Sequence, residues 1–168
     1  VSPLCNEESN INELVETIRA QSVPPAHWII VDDGSNDGTW PTLQRECRNL
    51  TWVTTIRRPP KGYVGLSRGE ALVAFAEGLS RCPVPDFQYV AKVDGDVILE
   101  PEYFAALIDL CESTQELGIC SGSFWEMSGD KRKLVRSIGG SAWAPARFYR
   151  RECYEDISGN DQCLGWDM

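Results

Sequence analysis

Two aspartates flank a glycine at Asp94-Gly95-Asp96, directly after the apolar segment Tyr89 to Val93. In an extended segment, side chains at positions i and i+2 point to the same side, and the intervening glycine lets a ligand approach closely. Such a carboxylate pair suits a hard divalent cation, Mg²⁺ or Mn²⁺, which completes its shell with water and substrate phosphates. Taken alone, the pair is more often a solvated turn after a strand. The motif is therefore a candidate metal site that depends on its context.

Two further acidic clusters follow predicted strands. Asp32-Asp33-Gly34-Ser35 comes after the apolar run Trp28 to Val31, and its oxygens are suited to accept hydrogen bonds from a base or a ribose. The simpler interpretation of this cluster is an Asx turn before a helix. Asn6, Glu7 and Glu8 follow the first apolar segment, where acidic residues also complement the N-terminus of the next helix.

Short apolar runs alternate with helical patterns along the chain, which predicts α/β architecture. In open α/β sheets, ligands bind outside the carboxyl ends of the strands, where the acidic clusters lie. The spacing predicts strands at 1–4, 28–31, 52–56, 89–93 and 119–125, and helices at 11–21, 39–50, around 72–79, from 101 onward and at 148–157. Asn10 and Glu13 are placed as a capping box for the first helix.

Length, charge and composition disfavour several classes of function. The 168 residues favour one domain, and a net charge of −9 disfavours binding to nucleic-acid backbones. Seven cysteines without a C-x-x-C pair predict free thiols in a reducing compartment. No apolar run approaches the ~18 residues that a membrane-spanning helix needs. His27 is the only histidine and lies in no hydrolase motif, so we expect a structural role for it.

Four segments in this order resemble the opening of the family 2 glycosyltransferases: PLCNEESNINELVETIRAQS, WIIVDDGSNDGTW, GLSRGEALVAFAEGL and VAKVDGDVILEPEYF. The resemblance is strong over about residues 3–104 and continues more weakly through FYRRECYEDI and GWD. It implies a GT-A fold, with a Rossmann-like, mostly parallel central sheet flanked by helices. It also implies inverting transfer of a sugar from a nucleoside diphosphate sugar, with a UDP-sugar as the expected donor. The expected acceptor is an unknown saccharide, lipid-linked or other hydroxyl group, in the context of cell-envelope polysaccharide.

Carried over by motif, the resemblance assigns Asp94 and Asp96 to a divalent cation, Mn²⁺ or Mg²⁺, with Asp96 the better candidate for direct contact. It assigns Asp167 to the general base that accepts the acceptor's proton, although this chain has Trp166-Asp167 where the family more often has Glu-Asp. Cys5 stands where a tyrosine is more usual. The residues implied for the donor nucleotide are Pro3, Cys5, Glu7, Asp32, Asp33, Arg68 and Asp94.

We therefore expect residues 1–168 to be a single GT-A catalytic domain, truncated at one or both ends. About 1–104 is the expected nucleotide-sugar and metal half, and about 105–168 the acceptor-side half. The expected location is the cytoplasm or the inner face of the membrane. Three alternatives stay open: transfer to a polyprenyl phosphate, a non-catalytic nucleotide-sugar-binding domain, and a phospho-receiver-like signalling domain with Asp94 or Asp96 as phosphoacceptor.

Overall fold

The computed structural model describes residues 1–60, 68–128, 131–135 and 142–158. Strands and helices alternate through most of this part, as the sequence predicts. The strands are β1 Ser2–Leu4, β2 Trp28–Asp32, β3 Val53–Arg57, β4 Tyr89–Val93, β5 Ile119–Cys120, β6 Phe124–Ser128, β7 Lys131–Val135 and β8 Ala146–Arg150. The helices are α1 Ile11–Arg19, α2 Thr39–Glu46, α3 Arg68–Ser80, α4 Tyr103–Ser113 and α5 Arg151–Ser158.

Two three-stranded groups make up the main sheet. β1, β2 and β3 pair in parallel, with Ser2 opposite Ile30 and Ile30 opposite Thr55. β8 lies between β4 and β5 and runs antiparallel to both. Val1 joins the groups, because its nitrogen donates to the Ala91 carbonyl (2.7 Å) and its carbonyl accepts from the Val93 N–H (3.1 Å). This is a parallel hydrogen-bond pattern, so the spatial order is β3-β2-β1-β4-β8-β5.

Burial on both faces of the central strands explains their apolar sequences. Every residue of β2 is buried, as expected for a parallel strand covered by helices on both sides. On α1, the residues at helical spacing face the sheet and are at most 1% exposed: Ile11, Leu14, Val15 and Ile18. The same core continues into α4 through Phe104, Leu107 and Cys111. The α/β prediction with a mostly parallel central sheet is confirmed.

Several local predictions were wrong. The Asn10 side chain makes no capping bond to α1; its amide donates instead to Glu7 Oε2 (2.6 Å). Helix α2 ends at Glu46 rather than near residue 50. The strand predicted at 119–125 is divided between β5 and β6. Residues 148–150 of the helix predicted at 148–157 belong to β8, because Phe148 and Tyr149 pair with Ala91 and Val90.

Strands β6 and β7 form a separate antiparallel ribbon, with Trp125 opposite Leu134. The ribbon contacts the main body where the ring of Phe124 stacks on Trp143, with centroids 3.8 Å apart. A cavity of about 410 Å³ lies at the amino-terminal edge of the main sheet and is lined by apolar side chains such as Trp28, Tyr89 and Phe148. Among the described residues, no helix is long and apolar enough to cross a bilayer.

Candidate functional site

Three loops meet at the carboxyl edge of the main sheet. They follow β1 at Cys5 to Glu8, β2 at Asp33 to Gly38, and β4 at Asp94 to Asp96. Because β1, β2 and β4 run parallel, their carboxyl ends lie at one edge, where α/β sheets bind ligands. The sheet order puts β1 between the other two, so its loop lies between the two acidic motifs.

The β1 loop is fastened to the β2 loop by hydrogen bonds. The Asn6 N–H donates to Ser35 Oγ (2.9 Å), and the Asn36 N–H donates back to Asn6 Oδ1 (2.9 Å). The Glu7 N–H donates to Thr39 Oγ1 (2.8 Å) at the start of α2. Asn6 has a φ of 58°, a left-handed conformation that asparagine adopts more readily than most residues. These bonds place the Glu7 side chain toward β4.

The Asp94-Gly95-Asp96 motif forms a turn against this loop rather than an extended segment. The turn brings the Val97 N–H to the Asp94 carbonyl (3.4 Å). Asp94 is half-buried and Asp96 is exposed. A Cβ on Gly95 would lie 2.7 Å from both Leu4 Cδ2 and Glu7 Cγ. Glycine is therefore needed here for the close approach of Glu7, which brings a third carboxylate to the aspartate pair.

The charges of the turn act on the pKa of Glu7. Burial raises the pKa of the Glu7 carboxyl above its usual value, the Asn10 hydrogen bond opposes this, and the charges of Asp96, Asp94 and Asp37 raise it further. Three carboxylates thus share one small region in which a cation would be stabilised.

The donor atoms at this turn fit a hard divalent cation. Carboxylate oxygens are preferred by Mg²⁺ and Mn²⁺, and the Asp96 side chain is open to solvent. In the described part of the chain, no group of three or more His, Cys, Asp or Glu side chains is arranged to enclose a metal ion. Asp94 and Asp96 would therefore supply part of a coordination shell that water and diphosphate oxygens complete.

Asp32 and Asp33 are held by internal partners. Asp32 is fully buried; its Oδ1 accepts from the Ser35 N–H (2.9 Å), and its Oδ2 lies 3.4 Å from Arg57 Nε. The Asp33 carboxylate, 2% exposed, is ion-paired with Arg58, whose Nε lies 3.1 Å from Glu77 Oε2. Asp32 thus makes the turn that the simpler interpretation expected, and recognition of a base by Asp33 stays a prediction.

Sequence reasoning missed three cations at this edge: Arg57, Arg58 and Lys92. Lys92 is buried in β4, and its ammonium donates to Asp94 Oδ1 and to the Ala144 carbonyl (3.3 Å). A lysine inside an otherwise apolar strand, two residues before an acidic motif, was the available signal. For the arginines, the available signal was two consecutive cations where β3 ends. In the sheet, the first of them pairs with Asp32 at the acidic end of β2.

The remaining predicted residues fall in different places. Pro3 is buried within β1 opposite Val31, and Cys5 is half-buried at the start of the β1 loop. Arg68 is the first residue of α3, and its side chain lies outside the described part. Asp167 also lies outside the described residues, so its role as a base stays a prediction.

A model of the family described as "Glycosyl transferase family 2" matches residues 1–164. The chain belongs to this family. Its fold is similar to that of a mannosyltransferase from Pyrobaculum calidifontis solved with GDP-Man and Mn²⁺, at a TM-score of 0.72 and 17% identity. That match covers 99% of this chain and 48% of the mannosyltransferase.

S. aureus TarS in complex with UDP is similar at a TM-score of 0.63 and 18% identity, over 94% of this chain and 48% of TarS. Glucosyl-3-phosphoglycerate synthase from Mycobacterium tuberculosis is similar at 0.51 and 19% identity, over 71% of this chain and 40% of the synthase. The fold of this family 2 chain is thus GT-A, as predicted. The chain spans about half the length of the first two structures.

Proposed function

We propose that this chain carries the donor site of an inverting glycosyltransferase. The site takes a nucleoside diphosphate sugar, with a UDP-sugar as the first donor to test, and a hydroxyl acceptor. The observation that carries the proposal is the gathering of Glu7, Asp94 and Asp96 at the carboxyl edge of β1 and β4. Family membership and the GT-A fold support it.

Charge explains why such a site needs a divalent cation. A donor diphosphate would be repelled by these carboxylates in a protein of net charge −9. The P. calidifontis structure holds Mn²⁺ with GDP-Man, and the M. tuberculosis structure holds Mn²⁺ with UDP. A bound Mn²⁺ or Mg²⁺ supplies neutralisation of the diphosphate and stabilisation of the charge that grows on it. Asp94 and Asp96 are the residues that would hold the ion.

Inverting transfer forms one bond at the anomeric carbon and breaks another there. The acceptor oxygen attacks the anomeric carbon from the face opposite the nucleotide, the bond from that carbon to the β-phosphate oxygen breaks, and the nucleoside diphosphate leaves with the electron pair. The acceptor's proton passes to a carboxylate on the attacking side, for which we propose Asp167. An Asp167→Asn variant that keeps full transferase rate would remove this assignment.

Thermal stabilisation by nucleotides tests the donor site. A ligand that binds only the folded state raises the melting temperature by mass action. UDP, GDP, CDP and dTDP are each added with Mn²⁺ or with chelator. We expect Mn²⁺-dependent stabilisation by one nucleotide, lost in Asp96→Ala and kept in the matched control Asp109→Ala, an exposed aspartate of α4. No stabilisation by any nucleotide would contradict the proposal.

Acceptor class and location are separate proposals. Transfer to a polyprenyl phosphate instead of a saccharide predicts activity that depends on detergent. A non-catalytic binding domain predicts stabilisation by nucleotide without turnover. The GT-A fold favours these over the phospho-receiver interpretation. We propose the cytoplasm or the inner face of the membrane as the location, because seven cysteines without a C-x-x-C pair favour a reducing compartment.

A further inference from the structure

Lys92 is an unusual residue for the centre of this sheet. It lies in β4, and its side chain is only 4% exposed. Lysine is almost never buried at this level unless its charge is paired. The pairing here is with Asp94, the first carboxylate of the candidate metal turn, so the ammonium lies inside the site's own charge distribution.

Lys92 also fastens a second segment to the turn. Its ammonium donates to the Ala144 carbonyl (3.3 Å), and the Asp94 N–H donates to the neighbouring Pro145 carbonyl (2.8 Å). The cross-strand neighbour of Lys92 is Arg147, which is 4% exposed and donates from Nε to the Ala142 carbonyl (3.2 Å). Hydrogen bonds from two buried cations, Lys92 and Arg147, therefore hold residues 142–145 close to the acidic turn.

The charge of Lys92 changes the net charge of the acidic turn. Ionised Glu7, Asp94 and Asp96 carry three negative charges, and Lys92 contributes one positive charge. Without Lys92, the same carboxylates would attract a free divalent cation more strongly and repel an incoming metal–nucleotide complex, which is itself anionic, more strongly.

We propose that Lys92 is a positioning residue that holds Asp94 and lowers the negative charge of the donor site. With this charge, the site favours a metal–diphosphate complex over a free metal ion. This inference rests on the proposed function. It assigns Lys92 no contact with the substrate; the residue acts through Asp94 and through the site's charge.

Two affinities measured on Lys92→Met test this proposal. Mn²⁺ binding alone is measured by the electron paramagnetic resonance signal of free Mn²⁺. Binding of the nucleotide that stabilises the wild type, out of UDP, GDP, CDP and dTDP, is measured calorimetrically at saturating Mn²⁺. We expect Mn²⁺ alone to bind at least about fivefold more tightly, because the variant removes a unit positive charge that repels the divalent ion from a position next to Asp94. We expect the nucleotide to bind at least about threefold more weakly.

Matched variants separate charge from folding. Lys133→Met removes one positive charge at an exposed position of β7 and should change neither affinity. Lys92→Arg keeps the charge and should keep both affinities near those of the wild type. If Lys92→Met does not fold, Lys92→Gln removes the same charge while keeping a donor for the Ala144 carbonyl, and the same two affinities decide.

Each result has one meaning. Opposite changes in the two affinities support the proposal. A loss of both affinities together assigns Lys92 a merely structural role and overturns it, as does behaviour equal to that of Lys133→Met. A wild-type protein with no Mn²⁺-dependent nucleotide binding overturns the proposed function and this inference with it. Normal wild-type binding, lost in Asp96→Ala but unchanged in the Lys92 variants, overturns this inference alone.

Discussion

Individual charged residues at the carboxyl edge are held by partners from other elements, and Arg58 is the clearest case. It follows β3, is ion-paired with the nearly buried Asp33 after β2, and reaches Glu77 in α3. Removing one partner of a buried ion pair costs more than the pair itself contributes, because a charge is left in a poorly solvated place. Arg58 therefore matters for stability as well as for the shape of the candidate site.

We expect Arg58→Met to lower the free energy of unfolding by about 3 kcal/mol, measured by urea denaturation. The matched control is Arg19→Met, which removes an arginine whose partner Glu16 is 71% exposed. Such surface pairs contribute at most about 1 kcal/mol. Equal effects of the two variants would contradict the importance of the Asp33 pair.

His27 gives the protein a pH dependence that can be isolated, because it is the only histidine. Burial lowers the pKa of His27 below its usual 6.5, and the ring Nε2 lies 2.8 Å from Thr54 Oγ1. Between the lowered pKa and 6.5, the unfolded chain binds more protons than the folded chain. The contribution of His27 to stability is thus complete above pH 6.5 and is lost as pH falls through the folded pKa.

We expect the stability difference between wild type and His27→Gln to change between pH 7 and pH 5, with the wild type losing more on acidification. Melting temperatures of both proteins across this range check it. A constant difference would show that the pKa of His27 is the same in the folded and unfolded states.

At the scale of elements, the close packing of the β1 loop on the β4 turn is what forms the acidic site. A methyl group at Gly95 would collide with Leu4 and Glu7, whereas one at Gly69 in α3 would meet no atom within 4 Å. We expect Gly95→Ala to lower the free energy of unfolding by about 1–3 kcal/mol and to weaken Mn²⁺-dependent nucleotide binding. Gly69→Ala should raise stability by up to about 1 kcal/mol.

Chemical denaturation and the nucleotide assay measure both glycine variants. If Gly95→Ala is as stable as Gly69→Ala and binds nucleotide normally, the β1 loop can move away without harm. The contact of Glu7 with the turn would then have no role in the site.

Elements whose partners are close in sequence were predictable, and those defined by distant partners were not. The apolar run of β2 and the helical spacing of α1 carry their own burial pattern. Phe148 and Tyr149 fit a helix equally well by local pattern, and only pairing with β4, more than fifty residues earlier, makes them a strand. The acidic loops followed from strand ends, but the pairing of Lys92 with Asp94 required the three-dimensional arrangement.

Across the whole molecule, the cysteines divide by burial. Burial raises the pKa of Cys47 to about 11 and that of Cys120 to about 12, while Cys5, Cys82 and Cys153 are half-buried. Thiolate is the reactive form, and a thiol with a pKa near 11 is about one part in a thousand ionised at pH 8. The cysteine thiols should therefore react at very different rates.

We expect iodoacetamide at pH 8 to modify the half-buried cysteines well before Cys47 and Cys120, as measured by peptide mass mapping over time. In urea, where burial is removed, all seven cysteines of the sequence should react at similar rates. Early modification of Cys47 in the native protein would mean that its surroundings open more easily than the packing indicates.

The position of β1 has a consequence for synthesis on the ribosome. β1 lies in the middle of the sheet, yet its second neighbour, β4, is translated about ninety residues later. Until β4 emerges, β2 is the one neighbour of β1 among the described strands that has been synthesised, which leaves one edge of an apolar strand open. Such long-range pairing is slow to form, so this interval is when the growing polypeptide is most exposed to aggregation and most in need of a chaperone.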